Sequence, residues 1–323
     1  MTNFQVYRKT LSFSLVNFLI GLVELAILVG ACIAGFYLMN TTNDRALIGL
    51  VIGLVIGIII VILMNIFVNN RIKAAQIGMM AKGVVDGELP DNVFTSGIKE
   101  VNKRFAKITL FFMVTGAIKS MFRQLGRAIN KLGTAVGGDV GNSVTSVIDS
   151  FIQILIGYLA DCCLGWVMYN KEKGVANAAC EGAVIFFKHG KTLIRNIGRI
   201  FGLGFLSLLI VGGAFFGLSY LVSNQFPQLF QSLANEILET AQRNNGEVAE
   251  FLTNPTILML FASGIIAIIF WSMIHGLLIR PFILVGVLRN FMASGLKEQI
   301  TEADFDILDS KSPRFAKMRA RMD

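Results

Sequence analysis

Residues 46–68 read Ala-Leu-Ile-Gly-Leu-Val-Ile-Gly-Leu-Val-Ile-Gly-Ile-Ile-Ile-Val-Ile-Leu-Met-Asn-Ile-Phe-Val, with no charged side chain and one amide, Asn65. As an α-helix this run is about 35 Å long, enough to cross a hydrocarbon layer of about 30 Å. It does not alternate apolar and polar in ten-residue pieces, which argues against a transmembrane β-strand. In lipid, every backbone N–H and C=O must be paired within the protein, and a helix does so inside one segment. The stretch therefore predicts an all-α, polytopic helical membrane protein.

The preceding segment points the same way. An apolar run over 11–39 carries one ionisable residue, Glu24, and is joined to 46–68 by the polar turn Asn40-Thr41-Thr42-Asn43-Asp44-Arg45. The two runs read as a helical hairpin. The run at 11–39 is too long for the apolar core of a signal peptide, and no small-residue cleavage site follows it. Over all 323 residues, 54% are apolar and 15% charged, and mean hydropathy is +0.66. A soluble domain carries about 25% charged residues. The net charge of +8 comes from Lys and Arg flanking the apolar runs. Topology and anionic headgroups explain it better than nucleic acid does, and no nucleic-acid partner is expected.

Further spans are expected at about 143–169, 200–222 and 256–279, with a sixth candidate at 105–122 bounded by Lys107 and Lys119. The chain organises as a transmembrane hairpin (1–70) and an amphipathic region (71–142) with one short candidate span. A transmembrane bundle follows (143–288), holding the basic segment 170–200 and the acidic loop 223–255, and then a tail (289–323). The tail reads as helical to about Leu308. Gly87-Glu88-Leu89-Pro90-Asp91-Asn92 marks a turn between two short helices. Basic residues in 1–10, 69–104 and 170–200 predict a cell-membrane protein with both termini in the cytoplasm and 223–255 outside. Because 69–104 and 170–200 then share a side, an even number of crossings separates them. About six transmembrane helices are expected. The alternative is four full spans plus re-entrant or interfacial helices, which keeps Arg123, Arg127 and Lys131 inside.

Three constellations carry candidate function. Gly49, Gly53 and Gly57 recur every four residues along one face and invite close backbone approach, from the first helix or from another subunit of a homo-oligomer. In 143–169, Ser143, Ser146, Asp149, Ser150, Gln153, Gly157 and Asp161 fall on one helical face. Such a stripe must face protein or water, as a packing seam or as the wall of a path for an ion or solute. Glu24 has three roles open to it. It is a hydrogen-bonded structural carboxyl, a proton or cation site, or the partner of Lys107 or Lys119. Basic faces at Lys119, Arg123, Arg127 and Lys131 and at Lys188, Lys191, Arg195 and Arg199 suit membrane-lipid headgroups or an anion. Pro281, after Arg280, is expected to stop or kink the last span.

Cys32, Cys162, Cys163 and Cys180 form no CxxC pair and no metal-ligand spacing with His189 or His275. They read as reduced packing residues. No P-loop, HExxH, GxSxG or GxGxxG stands in a suitable context. No enzyme activity, metal or cofactor is therefore expected. The succession of polar-striped span, basic segment, glycine-rich span, acidic loop and last span resembles the second half of choline transporter-like proteins. The residues that carry the likeness are Asp161-Cys162-Cys163-Leu164 and the run Ala179 to Asn196. That family's chain is larger, with more spans, and no site residue is carried over from it. The residues themselves predict a channel or passive transporter for an ion or small solute. The alternative is a non-transporting scaffold or accessory subunit that binds lipid or a partner through its basic face.

Overall fold

The computed structural model describes residues 1–43, 46–105, 116–120, 124, 142–194, 197–243 and 253–320. These residues are predominantly helical, with no strand among them. Four helical segments are long and apolar enough to cross a membrane, at Asn3–Met39, Ile48–Val85, Phe201–Ser223 and Pro255–Gly295. The chain divides into two compact units, Met1–Gly198 with Pro281–Asp323, and Arg199–Arg280.

The first unit begins with α1 (Asn3–Asn43) and α2 (Ala46–Met64). A π-helical turn (Asn65–Asn69) leads from α2 into α3 (Asn70–Val85). Isoleucine and valine are indifferent helix formers in water. In a bilayer the backbone has no alternative partner, so the same residues make a helix. α1 has 41 residues and is about 60 Å long, twice the thickness of the hydrocarbon layer. Its two parts differ. Val6, Thr10, Phe13 and Ser14 are buried, whereas Leu15, Leu19, Val23, Val29, Ile33 and Leu38 are exposed. α2 is exposed along most of Ile48–Leu63, and α3 is buried along most of its length. α1 and the continuous helix formed by α2 and α3 thus each have an exposed apolar part and a part that enters a packed helical domain.

That domain adds α4 (Val93–Arg104), α5 (Asn142–Tyr169), α6 (Val175–Ile194), α11 (Arg280–Gly295), α12 (Glu302–Lys311) and α13 (Pro313–Arg319). The turn expected at 87–92 is present. Gly87 adopts φ +74°, which a side chain resists, and Asn92 caps α4 by accepting from the Thr95 N–H. Arg104 donates to the carbonyl oxygens of Asn170, Lys171 and Lys173, closing the C-terminal end of α5. The core contains Phe13, Ile77, Met80, Phe105, Leu159, Val167, Val184, Leu288, Phe291 and Phe315. The N-terminal residues belong to it, since Arg289 of α11 donates to the Met1 carbonyl (2.7 Å) and Tyr7 meets the Phe282 ring edge-on, and so does α13, whose Phe315 is buried.

The second unit holds α7 (Ile197–Ser207), a π-turn (Leu208–Gly212), α8 (Gly213–Ser223), α9 (Pro227–Arg243), α10 (Pro255–Ile274) and a π-turn (His275–Ile279). Phe215 stacks on Phe270, and the Trp271 indole donates to Ser207 Oγ at 3.1 Å. The polar segment 223–255, expected as a loop, contains the amphipathic helix α9. Pro281 does not end the last span. Helix continues through it to Gly295. The π-turn just before Pro281 offers a physical reason, because it loosens the hydrogen-bond ladder where proline supplies no N–H.

Candidate polar seam of the membrane hairpin

The hairpin is closed by glycine. A Cβ placed on Gly35 would strike the Gly49 carbonyl, and one on Gly53 would strike the Ala31 carbonyl. At Gly57 it would come within 3.0 Å of Leu28. The face formed by Gly49, Gly53 and Gly57 is therefore occupied by α1 of the same chain, backbone nearly on backbone.

Beyond Gly57 the contact changes from small to polar. Asn65 Nδ2 donates to Glu24 Oε1 at 3.2 Å, and Asn69 Nδ2 donates to the same oxygen at 2.9 Å. Asn69 Nδ2 also donates to Asn65 Oδ1 (3.1 Å), and Asn65 Nδ2 to the Val61 carbonyl (3.2 Å). The two asparagines bound the π-turn. A π-turn takes one extra residue into the helical ladder and so shifts the phase of the helix after it. Past it, Gln76 still faces α1, donating to Ser14 Oγ at 2.7 Å and toward the Thr10 carbonyl. Between these levels, Lys73 Nζ lies 2.7 Å from Asp161 of α5. A polar seam thus runs from Glu24 in the exposed apolar part to Gln76 in the domain core.

Glu24 sits in the apolar part of the hairpin. On α1 it lies between exposed Leu22 and Val23 on one side and Val29 on the other. Around Asn65, the residues Ile62, Leu63, Phe67 and Val68 are exposed. Helical rise puts Glu24 about 14 Å from Leu15 and about 21 Å from Leu38, inside the apolar part of the helix. All four N–H groups of the two amides are engaged, two of them on Oε1. Glu24 Oε2 accepts nothing among the described residues, and the Asn69 and Asn17 Oδ1 atoms are buried without a partner.

The other sequence candidates lie elsewhere. Asp161 is buried in the helical domain and paired with Lys73, and Gln153 is exposed. Ser146, Asp149 and Ser150 are on α5, but their side chains lie outside the described residues. Lys119 is exposed. Lys188 is held between Glu298 (2.8 Å) and Asp304 (2.9 Å), beside a His189–Glu298 contact of 2.7 Å. Lys188 in turn pulls both carboxylates below their usual range. Arg123, Arg127, Lys131 and Arg195, and the side chains of Lys191 and Arg199, lie outside the described residues. Cys162, Cys163 and Cys180 are buried free thiols, and Cys32 is partly exposed.

Sequence reading finds Glu24 but not its partners. Asn65 and Asn69 carry a usable signal, two amides four apart at the end of an uncharged run folded back against Glu24. In the sequence, Lys73 and Gln76 look like part of a polar connection rather than a continuation of the seam. Comparison with protein families, with curated proteins and with solved structures finds no match.

Proposed function

We propose that the protein moves an ion or small solute across the membrane, as a channel or passive transporter. The hairpin seam would line part of the path, and the domain carrying both termini would face the cytoplasm, as its basic residues favour. One observation carries this reading. A carboxylate within the apolar part of the hairpin keeps an oxygen that no described protein group pairs. An acidic side chain there costs about 3 kcal/mol on the insertion scale, so its presence points to function. The π-turn at the same level is a second feature often found at functional sites.

Relative to the sequence reading, the centre of the proposed path moves from the 143–169 stripe to Glu24. Flux of ions and small solutes into proteoliposomes tests it. Wild-type protein should pass at least one solute down its gradient, and Glu24→Gln should reduce that flux about tenfold or more. The absence of flux under any gradient would leave the scaffold reading. That reading draws on the exposed basic residues Arg8, Lys9, Lys99, Lys103 and Lys119 of the helical domain, which would meet lipid headgroups or an acidic partner.

A further inference from the structure

We infer that the Glu24–Asn65–Asn69 cluster is a binding site for a dehydrated alkali-metal cation, an inference that rests on the transport reading and names its substrate class. Donors and acceptors in the cluster do not balance. Asparagine brings two N–H donors and one acceptor oxygen, and an ionised glutamate brings acceptors only. Here every donor is spent inside the cluster, on Glu24 Oε1, Asn65 Oδ1 and the Val61 carbonyl. Acceptor capacity remains, at Glu24 Oε2 and at the buried, unpartnered Asn69 Oδ1. A group that completes the cluster must therefore bring a donor or positive charge, and of these a cation also neutralises the carboxylate. A second copy of the hairpin brings the same surplus and does not relieve it. Lipid tails bring nothing.

Charge selects the valence. The cluster holds one carboxylate and neutral amides, so a monovalent cation leaves it neutral. A divalent ion would leave a net positive charge in hydrocarbon, where uncompensated charge is strongly penalised. Calcium also takes six to eight oxygen ligands, and magnesium holds its waters tightly. Oxygen ligands from a carboxylate and amides suit a hard alkali ion. The proton is the natural competitor, because it neutralises the same carboxylate.

The test is thermal unfolding of the full chain in nanodiscs, at constant ionic strength, with N-methyl-D-glucamine replaced by lithium, sodium or potassium. At least one alkali ion should raise the wild-type Tm by about 3 °C, as occupancy well above Kd implies for a protein of this size. Glu24→Gln should lose that shift, whereas Glu88→Gln, on an exposed turn, should keep it. A second readout needs no variant. Acidification should weaken the cation effect in wild-type protein, because protons compete for the carboxylate. An equal shift in wild type and Glu24→Gln overturns the site. So does a pH-dependent Tm with no dependence on the cation, which would make Glu24 a neutral structural carboxyl. A cation shift without flux retires transport and keeps the site. Flux that persists in Glu24→Gln, with no cation shift in wild type, does the reverse.

Discussion

Asp161 is the residue whose meaning differs most between sequence and structure. In the sequence it belongs to a stripe facing a seam or a path. In the structure it is 4% exposed in the core of the helical domain and paired with Lys73. Removing one member of a buried ion pair leaves the other charge stranded and costs about 3–5 kcal/mol. The Lys73 side chain is about a third exposed, so water eases its end of the pair. Lys73→Met should therefore destabilise the domain by about 2 kcal/mol, read by denaturant unfolding in detergent. Lys73→Met with Asp161→Leu should recover most of that loss, and a double variant as unstable as the single would contradict the assignment. Glu24 is legible because a lone charge in an apolar run is conspicuous. Its hydrogen bonds are not, because they depend on the register of two helices and on a π-turn that no residue type announces.

Helices show a similar division. The hairpin is legible from two long apolar runs and a short polar turn. The lengths of its helices are not, because nothing in the sequence marks where a helix leaves lipid and enters a protein core. Glycine makes the contrast testable. At Gly53 any side chain would meet the Ala31 backbone, whereas a Cβ on Gly213 would have no neighbour within 4 Å. Gly53→Leu should therefore separate α1 from α2 and lower stability by about 3 kcal/mol, the upper range for overpacking against atoms that do not yield. Gly213→Leu should stay within about 0.5 kcal/mol of wild type, as substitutions at open sites do. Thermal unfolding of both variants in one detergent decides the matter, and similar losses in the two would refute close packing at Gly53. The helix across Pro281 shows the same thing from the other side. A proline rule applied locally predicts a stop or a kink, and with a π-turn just ahead of Pro281 the helix does not stop there.

At the scale of the molecule, the open quantity from the sequence is the number of crossings, and the helical domain bears on it directly. Phe105 is 1% exposed in the domain core. Gln124 accepts a hydrogen bond from Ser312 at the junction of α12 and α13, and Ser312 is itself fully buried. Residues 105 and 124 therefore both pack on the helical domain. Residues 156–168 of α5 are in the same core. The alternative of four full spans keeps Arg123, Arg127 and Lys131 on the side of the termini, where the positive-inside rule would put them. Cysteine introduced at Arg127, in a background with Cys32 changed to Ser, checks this in sealed vesicles of known orientation. A membrane-impermeant maleimide should label position 127 from the same face as a cysteine at Asp91, and from the opposite face to one at Gln228. Labelling of 127 together with 228 would establish six crossings. It would also return the 143–169 helix to the membrane, and with it the stripe of Ser146, Asp149, Ser150 and Gln153 as the wall of a path.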